Sequence, residues 1–179
     1  MLFRSPGAGT RNALLSLGAR HYFEIIAPDP AQSAYNFRVD VRSLSEPRLI
    51  NFAVATNDIE AMAAKARKAG YQVFGPAAGS RRQLSGKMLK WRSLGILNKL
   101  GAGGIEPVPF FIQWDPDSTH PSQTAPGGCE LESLVFEHPD EAGLAGALRK
   151  LGIEGKVSHG SAVRILATLK TPKGRVEIS

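Results

Sequence analysis

The sequence predicts an α+β fold built from repeated strand–helix–strand segments. Three observations carry that expectation. Residues 49–115 read as a strand, a helix and about three strands, and residues 129–179 read as a similar βαββ-type order. A hairpin at residues 9–30 reads as the closing half of an earlier copy, which makes residues 1–30 a partial first module. The three pieces are either separate modules or one continuous domain.

The elements follow from local chemistry. Leu14–Leu17 and Tyr22–Ala27 are short apolar runs joined by "GAR", a hairpin signature, and "PDP" ends the second run because proline cannot donate to a ladder. Residues 31–48 are polar and irregular. "LINFAVAT" is the next strand. Asn57 or Asp58 then caps a helix whose stripe is Ile59, Met62, Ala63, Ala66 and Ala69, and Gly70 stops it. "YQVFGP" is a short extended piece, and "GILNKLGAGGIEP" reads as loop. "KMLKWRSL" alternates as a two-faced strand, and "VPFFIQWD" is strongly apolar. "DPDSTHPSQTAPGG" is a long loop. "CELESLVFEHPD" is a strand, and Leu144, Leu148 and Leu151 mark a second helical stripe. "SAVRILATLKTP" and "GRVEIS" close the chain as a hairpin through the turn "TPKG".

Composition bounds the function. The chain has 179 residues, 42% hydrophobic and 21% charged, a globular balance with room for a core. One cysteine, Cys129, excludes an internal disulfide framework and fits a reducing compartment. No apolar run reaches bilayer length, and "MLFRSPGAG" lacks the apolar region of a signal peptide. A cytoplasmic protein without membrane contact is expected. The net charge of +6 is dispersed; its densest stretch is Arg81, Arg82, Lys87, Lys90 and Arg92. That stretch reads as a solvated face or an anion-friendly rim, and no nucleic-acid partner is expected. Dinucleotide, P-loop and nucleophile-elbow patterns are absent from the sequence.

Beginning a module at its third strand leaves an open sheet edge. The expectation is therefore a fragment lacking about thirty N-terminal residues, with "MLFRS" as a lead-in. The alternative is a homodimer whose second copy supplies the strand.

The run "GAGTRNALLSLG" followed by "YFEIIAPDP" resembles the glyoxalase-like domains of the vicinal oxygen chelate superfamily. "GKMLKWRSL", "PFFIQWD…HPS" and "FEHPD" fit the same family, so the resemblance covers most of the chain. It implies βαβββ modules whose curled mixed sheets form a cup, the first module being N-terminally incomplete. In metal-using members, ligands come from the first and last strands of paired modules. Matched by position, Glu24 is a suitable ligand. Asn51 and Gln113 are weak neutral donors, Ser133 is a poor one, and Glu177 is suitable. Ser5 stands where many members have histidine. The implied set is incomplete, so a divalent metal is not the favoured cofactor and no other is implied.

Glu24 is the first candidate site residue, as metal ligand or general base; an acid paired with Arg11 or facing solvent is the alternative. Arg11 and Asn12 are candidates for a ligand's carboxylate or carbonyl, or else a pair that holds the hairpin. Trp91 and Trp114 line an apolar pocket or pack in the core. Arg82 and Arg92 meet an anionic group or face solvent. His120 is a general acid/base or a loop residue that caps a turn before Pro121. His138 is a turn residue ahead of the second helix. Glu24, Gln113 and Glu177 each interrupt a final apolar strand, which reads as one repeated inward polar position.

The resemblance implies a protein that binds a small polar carbonyl- or carboxylate-bearing ligand. Proton transfer or isomerisation by a lyase- or isomerase-type enzyme fits it. The alternative is a non-catalytic protein that sequesters a small molecule.

Overall fold

A computed structural model describes residues 2–5, 7–37, 39–82 and 86–179; among these described residues, apolar residues at every second position and glycines at the reversals give eleven strands, three short α-helices and one 3-10 turn (Val41–Ser43). Strands β1 (Leu2–Ser5), β2 (Thr10–Ser16) and β3 (Tyr22–Pro28) form an antiparallel sheet in chain order. The expected hairpin is therefore three-stranded. Residues of "MLFRS", read as a lead-in, pair with β2 from Leu2↔Ala13 to Ser5↔Thr10. Too few residues precede Gly7 for a periodicity to register. The turn into β2 uses Gly9 at φ +73°, and a Cβ there would lie 2.3 Å from the Ala34 carbonyl oxygen. Only glycine permits that approach.

The second sheet follows the order β4 (Ala53–Ala55), β7 (Phe110–Trp114), β6 (Met88–Leu97), β5 (Gln72–Arg82). Between β4 and β5 lies α1 (Ile59–Lys68), whose N-cap Asp58 accepts from the Ala61 N–H. Its buried face is Ile59, Ala63 and Ala66, and the small alanines let the helix backbone lie close to its neighbours. Strand β5 runs far past the short piece expected. Gly75, Pro76 and Gly79 look like breakers, but a bulge between Phe74 and Ala77, with a cis Gly75–Pro76 bond, lets the ladder resume. Strand β6 likewise continues to Leu97 through residues read as loop.

The third sheet is β11 (Gly174–Ile178), β10 (Arg164–Thr171), β8 (Glu130–His138), β9 (Lys156–His159), with α3 (Glu141–Leu151) between β8 and β9. Its order overturns the expected copy. After α1 the chain crosses to the far edge, and the last strand, β7, pairs parallel with β4. After α3 the chain returns at once, and β9 pairs parallel with β8. The two segments share an element sequence but not a strand order, because periodicity fixes faces and not neighbours. A single helical turn, α2 (Pro121–Thr124), lies in the long loop.

The chain divides into two compact units. One holds residues 1–48, 120–133 and 168–178; the other holds 49–119, 134–167 and 179. The core of the second unit joins Ile59, Ala63 and Ala66 of α1 to Leu144, Ala147, Leu148 and Leu151 of α3, with Leu94, Phe111, Phe136 and Ile165 from strands. Burying a residue such as Phe136 or Leu148 contributes about 1.5–3 kcal/mol. Lys65 of α1 donates to the Leu151 carbonyl at 3.1 Å and caps the end of α3, where positive charge is favoured. His138 is buried and satisfied: its Nδ1 accepts from the Asp140 N–H and its Nε2–H donates to the Leu100 carbonyl at 2.8 Å. It is the last residue of β8, paired with His159, and not the turn residue the sequence suggests. No helix among the described residues is long and apolar enough to cross a membrane.

Candidate functional site

Strand alternation decides which candidates share a surface. In the first unit, β2 and β3 pair as Asn12↔Ile26, Leu14↔Glu24 and Ser16↔Tyr22. Asn12, Tyr22 and Glu24 therefore occupy one face of the hairpin. Arg11, paired with Ala27, falls on the other. A joint Arg11–Asn12 grip, and an Arg11–Glu24 ion pair, are both corrected by this geometry, since adjacent residues of a strand point apart.

Asn12 is 4% exposed, and its Nδ2 donates to Glu24 Oε1. The amide thus holds one oxygen of a carboxylate that is otherwise exposed. An exposed Glu24 is not the inward acid of the sequence comparison. Its supposed repeat-mates also differ: Glu177 is exposed, and Gln113 serves a helix start.

His120 belongs to the same unit and is 6% exposed. It is the N-cap of α2, and its Nδ1 accepts from the Ser122 N–H at 3.2 Å and lies 2.8 Å from Ser122 Oγ. With Nδ1 accepting, a neutral ring carries its proton on Nε2. The ring meets Tyr22 edge-on at 5.7 Å between centroids. Burial pushes its pKa down, and the charges of Arg20 and His21 push it further. The geometry so brings Asn12, Tyr22, Glu24 and His120 together in one unit. Tyr22 was missed in the sequence, although its i, i+2 relation to Glu24 marks it. Ser122, two residues past a histidine, was also missed.

Trp91 and Trp114 lie in the second unit as direct cross-strand partners, with centroids 5.6 Å apart and planes at 57°. The next position in the row is Gly79, where a Cβ would come within 2.4 Å of the Trp91 indole. The ring of Trp91 thus lies over the glycine backbone. Leu89 and Ile112 are buried on the same face by alternation. Gln113, next to Trp114, points the other way. Its Oε1 accepts from the Ile59 N–H at 3.0 Å, and its Nε2 donates to the Asn57 carbonyl at 2.8 Å. Asn51 Oδ1 accepts from the Phe52 N–H.

These residues do not fit the divalent metal of metal-using relatives. Among the described residues no group of three or more His, Cys, Asp or Glu side chains is placed to hold one. Glu24 is bonded to an amide, and the neutral donors aligned with it serve the backbone.

Comparison with known proteins agrees with the fold. A crystal structure of a hypothetical protein from Staphylococcus aureus superimposes with a TM-score of 0.69 at 17% identity, covering 97% of this chain and 86% of that one. No curated protein matches. The family described as a glyoxalase-like domain matches residues 4–152. With most of its length inside that match, the chain belongs to the glyoxalase-like domain family of the vicinal oxygen chelate superfamily.

Proposed function

We propose that the protein binds a small polar carbonyl-bearing ligand at the β2–β3 face of its first unit and moves a proton beside the carbonyl, with Glu24 as the acceptor. The observation that carries this reading is the Asn12–Glu24 hydrogen bond on the face that also holds Tyr22. A buried amide that grips one carboxylate oxygen fixes the acid's direction and leaves its other oxygen for a ligand. Tyr22 and the Nε2 side of His120 supply polar groups for the carbonyl oxygen. Arg11, Trp91 and Trp114, ligand-binding candidates from the sequence, have no part in this reading: Arg11 falls on the other face of the hairpin, and the tryptophans belong to the second unit.

A second reading, non-catalytic sequestration in the same family, is favoured by the exposure of Glu24. An exposed carboxylate is open to water, which a proton-transfer site excludes. One experiment separates the two. Thermal shift against a panel of small α-keto acids and aldehydes identifies a ligand, and NMR in deuterated water then follows exchange at the carbon beside its carbonyl. Binding with exchange that is lost in Glu24→Gln supports the enzyme. Binding without exchange supports the sequestering protein. A panel in which no compound shifts the wild type sinks both.

A further inference from the structure

The second unit carries a groove of about 390 Å³ on the β5–β6–β7 sheet, bordered by Ser80, Lys90, Arg92, Gln113 and Asp115 among others. Trp91 and Trp114 border it too, but alternation directs their indoles to the opposite face. Lys90, Arg92 and Asp115 are charged residues of its border, and Arg92 also reaches Glu60 of α1.

We infer that this groove is a binding site for the oxyanion group of a small molecule, a carboxylate or a phosphate, held between Lys90 and Arg92. Several observations converge. Ala78 and Ser80, the cross-strand partners of Arg92 and Lys90, are small and border the groove. Lys90 and Arg92 stand two residues apart on β6, so their stems rise about 7 Å apart on one face. Arg82 shares that face by register. Among the described residues neither Lys90 nor Arg82 forms an ion pair. Arg92 is held at 2.5 Å by Glu60, a pair whose side chains are 43% and 61% exposed. That contact uses one nitrogen of the planar fork and leaves further N–H groups for an anion.

Among the described residues that border the groove, Asp115 is the one acid. It faces Lys90 across the ladder, yet its Oδ1 accepts from the Asp117 N–H at 3.0 Å and no ion pair joins it to Lys90. The backbone beneath is pinned: the Lys90 N–H donates to Ser118 Oγ and its carbonyl accepts from the Asp115 N–H. The ammonium thus projects from a fixed strand position with its charge unspent. The site is independent of the Glu24 reading, since it lies in the other unit.

The test is calorimetric titration of the full chain with inorganic phosphate and, separately, with malonate, in low-salt buffer. Saturable binding is expected, about tenfold weaker in Lys90→Gln and unchanged in Glu24→Gln. Preference for phosphate or for malonate names the oxyanion class. Lys90 is exposed, so its substitution leaves the fold intact; an unaltered melting temperature in Lys90→Gln checks this. Absence of saturation at millimolar concentrations of either anion overturns the inference. So does equal binding by Lys90→Gln and wild type.

Discussion

Removing the amide of Gln113 should loosen the start of α1. The side chain reaches from β7 to the first turn and forms two hydrogen bonds, one from the Ile59 N–H and one to the Asn57 carbonyl. Ile59 is fully buried and its N–H is one of the donors a helix leaves without an internal partner. Each bond contributes about 1 kcal/mol net, so Gln113→Ala should cost about 2 kcal/mol. In a chain of this size that corresponds to a fall in melting temperature of about 4–8 °C. Urea unfolding followed by far-UV circular dichroism measures it. Gln123→Ala, at an exposed position of α2, is the matched control and should change stability by less than about 0.5 kcal/mol. Asp58→Ala, which removes the N-cap of the same helix, is the yardstick at about 1 kcal/mol. If Gln113→Ala loses no more than Gln123→Ala, the bonds to α1 contribute nothing, and Gln113 returns to the list of ligand candidates.

His120 gives a pH dependence. Its pKa lies below the ordinary 6.5 in the folded protein because burial disfavours the charged ring. The unfolded chain therefore takes up the proton first, and stability present above pH 6.5 is lost as pH falls toward the folded value. His120→Asn keeps a capping acceptor without the titration, and its stability should be flatter than that of the wild type below pH 6.5; parallel profiles would exclude His120 as the source. Gly79→Ala forces a methyl into the Trp91 indole and should cost about 1–3 kcal/mol with an altered tryptophan emission. Unchanged emission at full stability would show that the ring does not lie over Gly79.

Much of the fold was legible in the sequence. Asp58, one of the two caps the sequence offers, marks the start of α1 because a carboxylate that accepts an early N–H is a local arrangement. The stripes of α1 and α3, the closing hairpin and the two-faced β6 follow from periods that adjacent residues enforce. Legibility fails where neighbours in space decide. Strand β5 looks broken at Gly75, Pro76 and Gly79, yet a bulge and the Trp91 ring make those residues the fitting ones. The short β9 carries too few residues to show a period.

The candidate site divides in the same way. The sequence by itself determined the family and the residue types, but its strand began at Leu14; only the extension of β2 back to Thr10 sets Arg11 and Asn12 on opposite faces. Tertiary structure alone decided that Asn12 grips Glu24, that His120 is sealed against Tyr22 with its Nδ1 spent on Ser122, and that Gln113 serves a helix. It also separated residues 49–115 from 129–179, since β9 lies beside β8 while β5 lies across the sheet from β4. Periodicity reports which face a side chain takes; pairing energy between distant strands selects the neighbour, and that term is written in no single stretch of the chain.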